Sequence, residues 1–140
     1  MPRVVPRIAA ATTLALLIIG GCGNEESRMR TRIAGEYVAD IDEVTGREKR
    51  REHHVLTLTT DGLWTRSGWA ETDGKRRDLF RDSGHFRINQ GVLVLRSHVD
   101  EVGPIRYTIT GDILHGSSAP LSHTAAQLGM AHGRFIRSRR

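Results

Sequence analysis

Cysteine is almost missing from this chain: residue 22 holds the only one among 140. No intramolecular disulfide can form, so a domain in an oxidising compartment must hold together by its core alone. Lysine is scarce too. Two lysines stand against nineteen arginines, a bias that fits a GC-rich coding sequence better than a selected surface. Catalytic signatures are lacking as well. There is no Gly-x-Ser-x-Gly elbow, His-Glu-x-x-His, Walker loop or dinucleotide fingerprint, so the chain reads as a non-enzyme without a cofactor. Asp82-Ser83-Gly84-His85 holds the ingredients of a hydrolase triad, but triads are assembled in space from separate elements. Nor does any apolar run reach the ~20 residues of a membrane-spanning helix. The longest, Ile8–Gly21, has fourteen and as a helix would span about 21 Å, short of the ~30 Å hydrocarbon core.

What is present begins with that run. Arg3 and Arg7 precede it with no acid between them, and small residues end it, the pattern of a secretory signal. Its last residues, Ile19-Gly20-Gly21-Cys22, resemble the lipobox of bacterial lipoproteins. The alternative is an ordinary signal peptide that ends near a cysteine. The resemblance implies that Met1–Gly21 is removed and that Cys22 receives acyl chains such as palmitate. One acyl chain anchors marginally and two or more anchor stably, so it also implies a durable membrane partner. Gly23, where Asp would favour inner-membrane retention in enteric bacteria, points to the outer membrane facing the periplasm in a diderm source. A monoderm source would place the domain outside the plasma membrane. Losing Arg3 and Arg7 leaves 19 basic and 16 acidic residues. This mild and interspersed charge, together with export, excludes a nucleic-acid partner, which would call for a clustered basic stripe.

Residues 22–32 follow as the acylated cysteine and a polar tether. Gly23–Arg32 lacks apolar periodicity, and as a flexible coil it would reach about 17 Å. From Ile33 the pattern has period two with turn residues between runs. Strands are expected at Ile33–Ala39, His53–Thr60, Leu63–Thr72, Arg77–Asn89 (interrupted at Ser83-Gly84), Val92–Ser97, Ile105–Thr110, Ile113–His115 and Gly133–Ser138. Asp40–Arg51 reads as a loop or solvated hairpin end, and Asp61-Gly62 and Asp73-Gly74 read as tight turns. Trp64 and Trp69, five apart, face opposite ways unless Gly68 marks a bulge. Thr124–His132 is the one place for a short helix. About eight strands without βαβ alternation predict an all-β, antiparallel up-and-down meander that curls and closes into a small barrel over 33–140. Its inward residues are expected to be Tyr37, Leu56, Leu58, Trp64, Phe86, Ile88, Leu93, Leu95, Tyr107, Ile109, Leu114 and Phe135.

Gly35-x-Tyr37, LTLTTDGLWTRSG (Leu56–Gly68), SGHFRINQGVLVL (Ser83–Leu95) and YTITGDIL (Tyr107–Leu114) occur in an order that resembles small bacterial lipocalin-like lipoproteins. The resemblance covers roughly Ile33–Leu114. It implies an eight-stranded barrel able to hold one small apolar ligand. It also implies that the opening aromatic, Tyr37 here in place of Trp, packs against an arginine of the last strand, Arg134 or Arg137.

Trp64 and Arg66 share a strand face, and Arg87 lies on the next strand pair. If all face inward, with Tyr107, they make an anion-capped apolar pocket for a carboxylate-bearing lipid. The favoured reading has Trp64 in the core and Arg66 outward and solvated. Seven histidines are present. His53 and His54 are adjacent and so point apart, while His115, His123 and His132 surround one loop and could converge. Metal binding needs several ligands at one point, and the histidines read as surface residues with no metal. The function that follows is a non-enzymatic, envelope-tethered module for a small apolar or amphipathic ligand. Two rivals stand beside it. One is a protein-interaction or inhibitor module docked to another envelope protein, with an exposed aromatic such as Trp69. The other is a periplasmic metal-binding protein.

Overall fold

The computed structural model describes residues 21–99, 103–116 and 133–139, with side chains from residue 25 onward. The signal-like segment and the expected helix over Thr124–His132 lie outside the described residues. A helix, α1 (Gly21–Ile33), precedes nine strands: β1 (Gly35–Thr45), β2 (Glu48–Leu58), β3 (Leu63–Thr72), β4 (Lys75–Asp78), β5 (Asp82–Asn89), β6 (Val92–Ser97), β7 (Ile105–Thr110), β8 (Ile113–Gly116) and β9 (Arg134–Arg137). All pairings are antiparallel. The ring runs β1-β2-β3-β5-β6-β7-β8-β9 and returns to β1, so eight strands close a barrel. The all-β up-and-down barrel expected from the alternation is the fold observed.

β4 is the addition. It pairs only with β3, at the end that extends past the barrel wall. The sequence predicts one strand over Arg77–Asn89 broken at Ser83-Gly84, but the break lies at residues 79–81. There Leu79 turns into the core, and its N–H donates to Gly68 O at 2.9 Å. Ser83 and Gly84 continue β5 unbroken. β1 likewise runs past Ala39 to Thr45, paired with β2 along its whole length. β1, β2, β3 and β4 therefore project beyond the barrel as a flap. The turn expected at Asp73-Gly74 and the turn at Gln90-Gly91 between β5 and β6 have positive φ at both residues (50° and 79°, 49° and 75°), the geometry of tight hairpins.

The core follows the two-residue period. Tyr37, Leu56, Leu58, Trp64, Phe86, Leu93, Leu95, Tyr107, Leu114 and Phe135 are buried as expected, while Ile88 and Ile109 are only half-buried against them. Ile33, Ala39, Ala70 and Leu79 join the core unpredicted. Register is continuous from His54↔Gly68 to His53↔Trp69, so Gly68 makes no bulge. Trp64 faces inward, and Trp69 stands outside against His53 and Arg76.

The expected tether is a helix. Its inner stripe is Glu26, Met29, Arg30 and Ile33, correctly spaced for one helix face. That stripe is half charged, so apolar periodicity does not reveal it. Glu25, Glu26, Arg28, Met29, Arg30 and Arg32 are good helix formers. Glu26 and Arg30 pair at 2.8 Å one turn apart, and Arg30 and Arg32 occupy the last turn, where the dipole favours cations. No helix among the described residues is long and apolar enough to cross a membrane. α1 caps one end of the barrel. Ile33 is buried there, Tyr37 Oη donates to Ile33 O (2.8 Å), and Arg137 Nη2 donates to Arg32 O (2.6 Å).

Candidate functional site

The ladder registers place the inward side chains of β1–β5 in rows. At the α1 end, Gly35, Leu58, Trp64 and Gly84 form the floor. The next row is Tyr37, Leu56, Arg66 and Asp82. Ala39, His54 and Gly68 follow, then Ile41, Glu52, Ala70 and Arg77, and at the flap tip Glu43, Arg50, Thr72 and Lys75. The inner wall thus changes from apolar to polar along the barrel axis. Leu93, Leu95, Leu114 and Phe135 complete the apolar part from the opposite wall, and Tyr107 meets Phe135 edge-on at 5.7 Å.

Arg66 is 4 % exposed, which corrects the outward, solvated placement favoured from sequence. The error lies in weighting residue type over period: Arg66 sits two positions from Trp64, and both must share a face. Its Nη2 donates to Phe80 O at 3.3 Å, and its Nη1 lies 3.5 Å from His54 Nδ1. Burial lowers the Arg66 pKa, while Asp82, Tyr107 and Glu52 act to hold its charge. Tyr107 is also inside. Burial pushes its phenol up to about 12, against the pull of Arg66, so it stays a neutral donor and acceptor. Trp64 is buried, with its indole N–H shared between His85 O (3.0 Å) and Arg96 O (3.1 Å). It is a wall residue. Arg87 is exposed opposite Val94 and points away, so it leaves the expected pocket. The structure therefore brings Trp64, Arg66 and Tyr107 to the interior and excludes Arg87.

Two buried polar groups were missed, His54 and Asp82. His54, 0 % exposed, bonds through Nε2 to Glu52 Oε2 at 2.8 Å, and Arg50 pairs with the same carboxylate. A guanidinium only donates, so His54 Nδ1 toward Arg66 fits the neutral ring with its proton on Nε2. Burial lowers the His54 pKa, with Glu52 opposing. Asp82, 5 % exposed, accepts from Ser97 Oγ (2.6 Å) and Ser83 N (2.8 Å), while its Oδ2 is buried without a hydrogen-bond partner among the described residues. Parity alone would have found His54, which lies two residues before Leu56. Asp82 and His85, three apart on β5, fall on opposite faces, and no triad forms between them.

A cleft of about 470 Å³ opens where β3 and β5 part, between Thr65, Arg66 and Ser67 on one side and Arg81, Asp82 and Ser83 on the other. His115 is exposed on β8, and His123 and His132 lie outside the described residues. Among the described residues no group of three or more His, Cys, Asp or Glu is placed to hold a metal ion. At the capped end, Arg137 rather than Arg134 meets the opening aromatic. Its Nη2 donates to Tyr37 Oη at 2.9 Å, and the guanidinium lies 5.3 Å from the ring centre. No family model, curated protein or solved structure matches the chain.

The buried imidazole makes stability pH-dependent with a definite sign. The His54 pKa in the folded state lies below its ordinary 6.5, so below pH 6.5 the unfolded chain takes a proton that the folded chain refuses. This contribution is complete above pH 6.5 and is lost as pH falls toward the folded value, by up to about 1.4 kcal/mol per pH unit. In urea titrations at pH 7.5 and 5.5, His54→Gln is expected to lose less stability than the parent. Equal losses would remove His54 as the cause.

Proposed function

We propose that this chain is an envelope-anchored, lipocalin-like binding protein for a small amphipathic acid. The ligand's carboxylate lies at Arg66 and Tyr107, and its tail points toward the apolar floor. One observation carries the reading: a guanidinium buried inside a closed barrel, in the row directly above the apolar floor of Leu58 and Trp64. Charge-assisted bonds from arginine to carboxylate are the strongest neutral-pH means of fixing such a head group. The contact of Arg137 with Tyr37 supports the lipocalin-like part, because it joins the two positions that the resemblance pairs. Anchoring by acylated Cys22 rests on the lipobox-like residues before it.

The chain beginning at residue 22 with Cys22→Ser retains all nine strands and serves as the soluble probe. Palmitate is expected to bind it saturably at one site, and palmityl alcohol at least tenfold more weakly, the worth of a hydrogen bond to a charged group at about 1.5 kcal/mol or more. Changing the ligand rather than Arg66 keeps the fold intact. In parallel, native mass spectrometry of protein extracted from its own membrane is expected to show acyl chains on Cys22. Equal affinity for acid and alcohol, or binding of neither, would sink the proposed ligand, and an unacylated product would sink the anchor.

A second reading, docking to another envelope protein, draws on Trp69. It stands on the outer face of the flap, stacked on His53 at 5.7 Å and covered by Arg76 at 3.8 Å. Those two neighbours already cover its ring, so this reading ranks second.

A further inference from the structure

The flap carries two more cations on the face that leads to Arg66. In the β3–β4 ladder Lys75 lies opposite Thr72 and Arg77 opposite Ala70, and directly opposed residues project from the same side of a sheet. Ala70 is buried on the inner face. Lys75 and Arg77 therefore stand on the concave side of the flap, and both are exposed. Arg76 between them turns the other way, onto Trp69 and Glu71. Neither Lys75 nor Arg77 has an ion-pair partner among the described residues. The remaining charges on this face are Glu43, Glu48, Arg50 and Glu52, all of them on β1 and β2, and Glu52 holds Arg50 and His54. The β4 side is therefore cationic.

From Ala70, beside Arg77, to Arg66 is four residues along β3, or about 13 Å. That is near the ~10 Å screening length at 0.1 M salt. A cationic surface leading into a cleft raises the encounter rate of anions more than it tightens the final complex.

We propose that Lys75 and Arg77 form the landing site from which a carboxylate-headed amphiphile reaches Arg66. The two cations capture the head at the flap, and the concave face of β3 and β4 guides it inward. The inference deepens the proposed function and rests on it.

Stopped-flow mixing of the Cys22→Ser chain with an anthroyloxy-labelled palmitate tests it. K75Q/R77Q is expected to slow association about 3- to 10-fold at low salt, to flatten the fall of that rate with ionic strength, and to leave dissociation within about twofold. Arg76→Gln removes a charge from the same strand but the opposite face and is expected to keep the parental rate. An unchanged association rate in K75Q/R77Q, with normal saturation, overturns the landing site and leaves the proposed ligand standing. An equal slowing in Arg76→Gln also overturns it, because net charge and not the concave face would then be responsible. A parent chain that takes up no probe overturns both.

Discussion

Arg66→Ala is expected to destabilise the barrel by about 3–5 kcal/mol, the range for breaking a buried charge arrangement from one side. Asp82 stands opposite Arg66 in the β3–β5 ladder, itself 5 % exposed, and is the leading charge that offsets the burial of Arg66. Without the guanidinium, a carboxylate remains in the wall with one oxygen already lacking a hydrogen-bond partner among the described residues. His54 and the Phe80 carbonyl also lose their neighbour. A domain of this size has roughly 5–15 kcal/mol in total, so the variant sits close to unfolding at ambient temperature. Removing both charges with Arg66→Met and Asp82→Asn is expected to recover most of the loss, since replacing a buried pair by neutral groups is often close to neutral. Urea denaturation of the parent, Arg66→Met, Asp82→Asn and the double variant gives the coupling. A loss under about 1 kcal/mol for Arg66→Ala would show that its charge is not compensating Asp82.

Gly84→Ala is expected to cost about 3 kcal/mol, the upper part of the range for forcing atoms into a packed interior. A Cβ at Gly84 would lie 1.8 Å from Arg96 O and 3.0 Å from Trp64 Nε1. Arg96 O is backbone and also accepts from the Trp64 indole, so the clash and the loss of that bond arrive together. Gly84 is paired to Trp64 on β3 and to Ser97 on β6, and the strain falls on two seams of the ring. Thermal unfolding is expected to shift down by more than 10 °C, at about 4 °C or more per kcal/mol for a domain near 100 residues. Gly103→Ala, with nothing within 4 Å of the added carbon, serves as the control and is expected to shift little. Comparable shifts in the two variants would remove close approach at Gly84 as the explanation.

The barrel was legible because strand alternation is a local property. Leu56 and Leu58, Leu93 and Leu95, and the Asp73-Gly74 and Gln90-Gly91 turns each announce their conformation within a few residues. What escaped was set by distant partners. α1 hides its buried face behind Glu26 and Arg30, and becomes recognisable only against the barrel end that Tyr37 and Arg137 supply. β4 reads as part of β5 until Leu79 is seen to bond Gly68 eleven residues back. The interior polar cluster was misjudged for a related reason. Arg66, His54 and Asp82 obey the same parity as their apolar neighbours, but composition argues that such residues face water. Only the pairing of β2, β3 and β5 shows them facing one another.

The capping helix also has a mechanical consequence. Thirteen residues of α-helix make a rod about 20 Å long, and its last turn is clamped to β1 and β9 through Ile33, Tyr37 and Arg137. On the proposed attachment at Cys22, the anchor is joined to the plugged end by a stiff helix whose inner stripe faces the barrel, with Arg30 against Gly62, and not by a leash. The plugged base then stays toward the leaflet that bears it and the flap points into the compartment. Cargo would be exchanged with carriers or surfaces across the aqueous gap, and the home leaflet would serve as a mooring and not a reservoir.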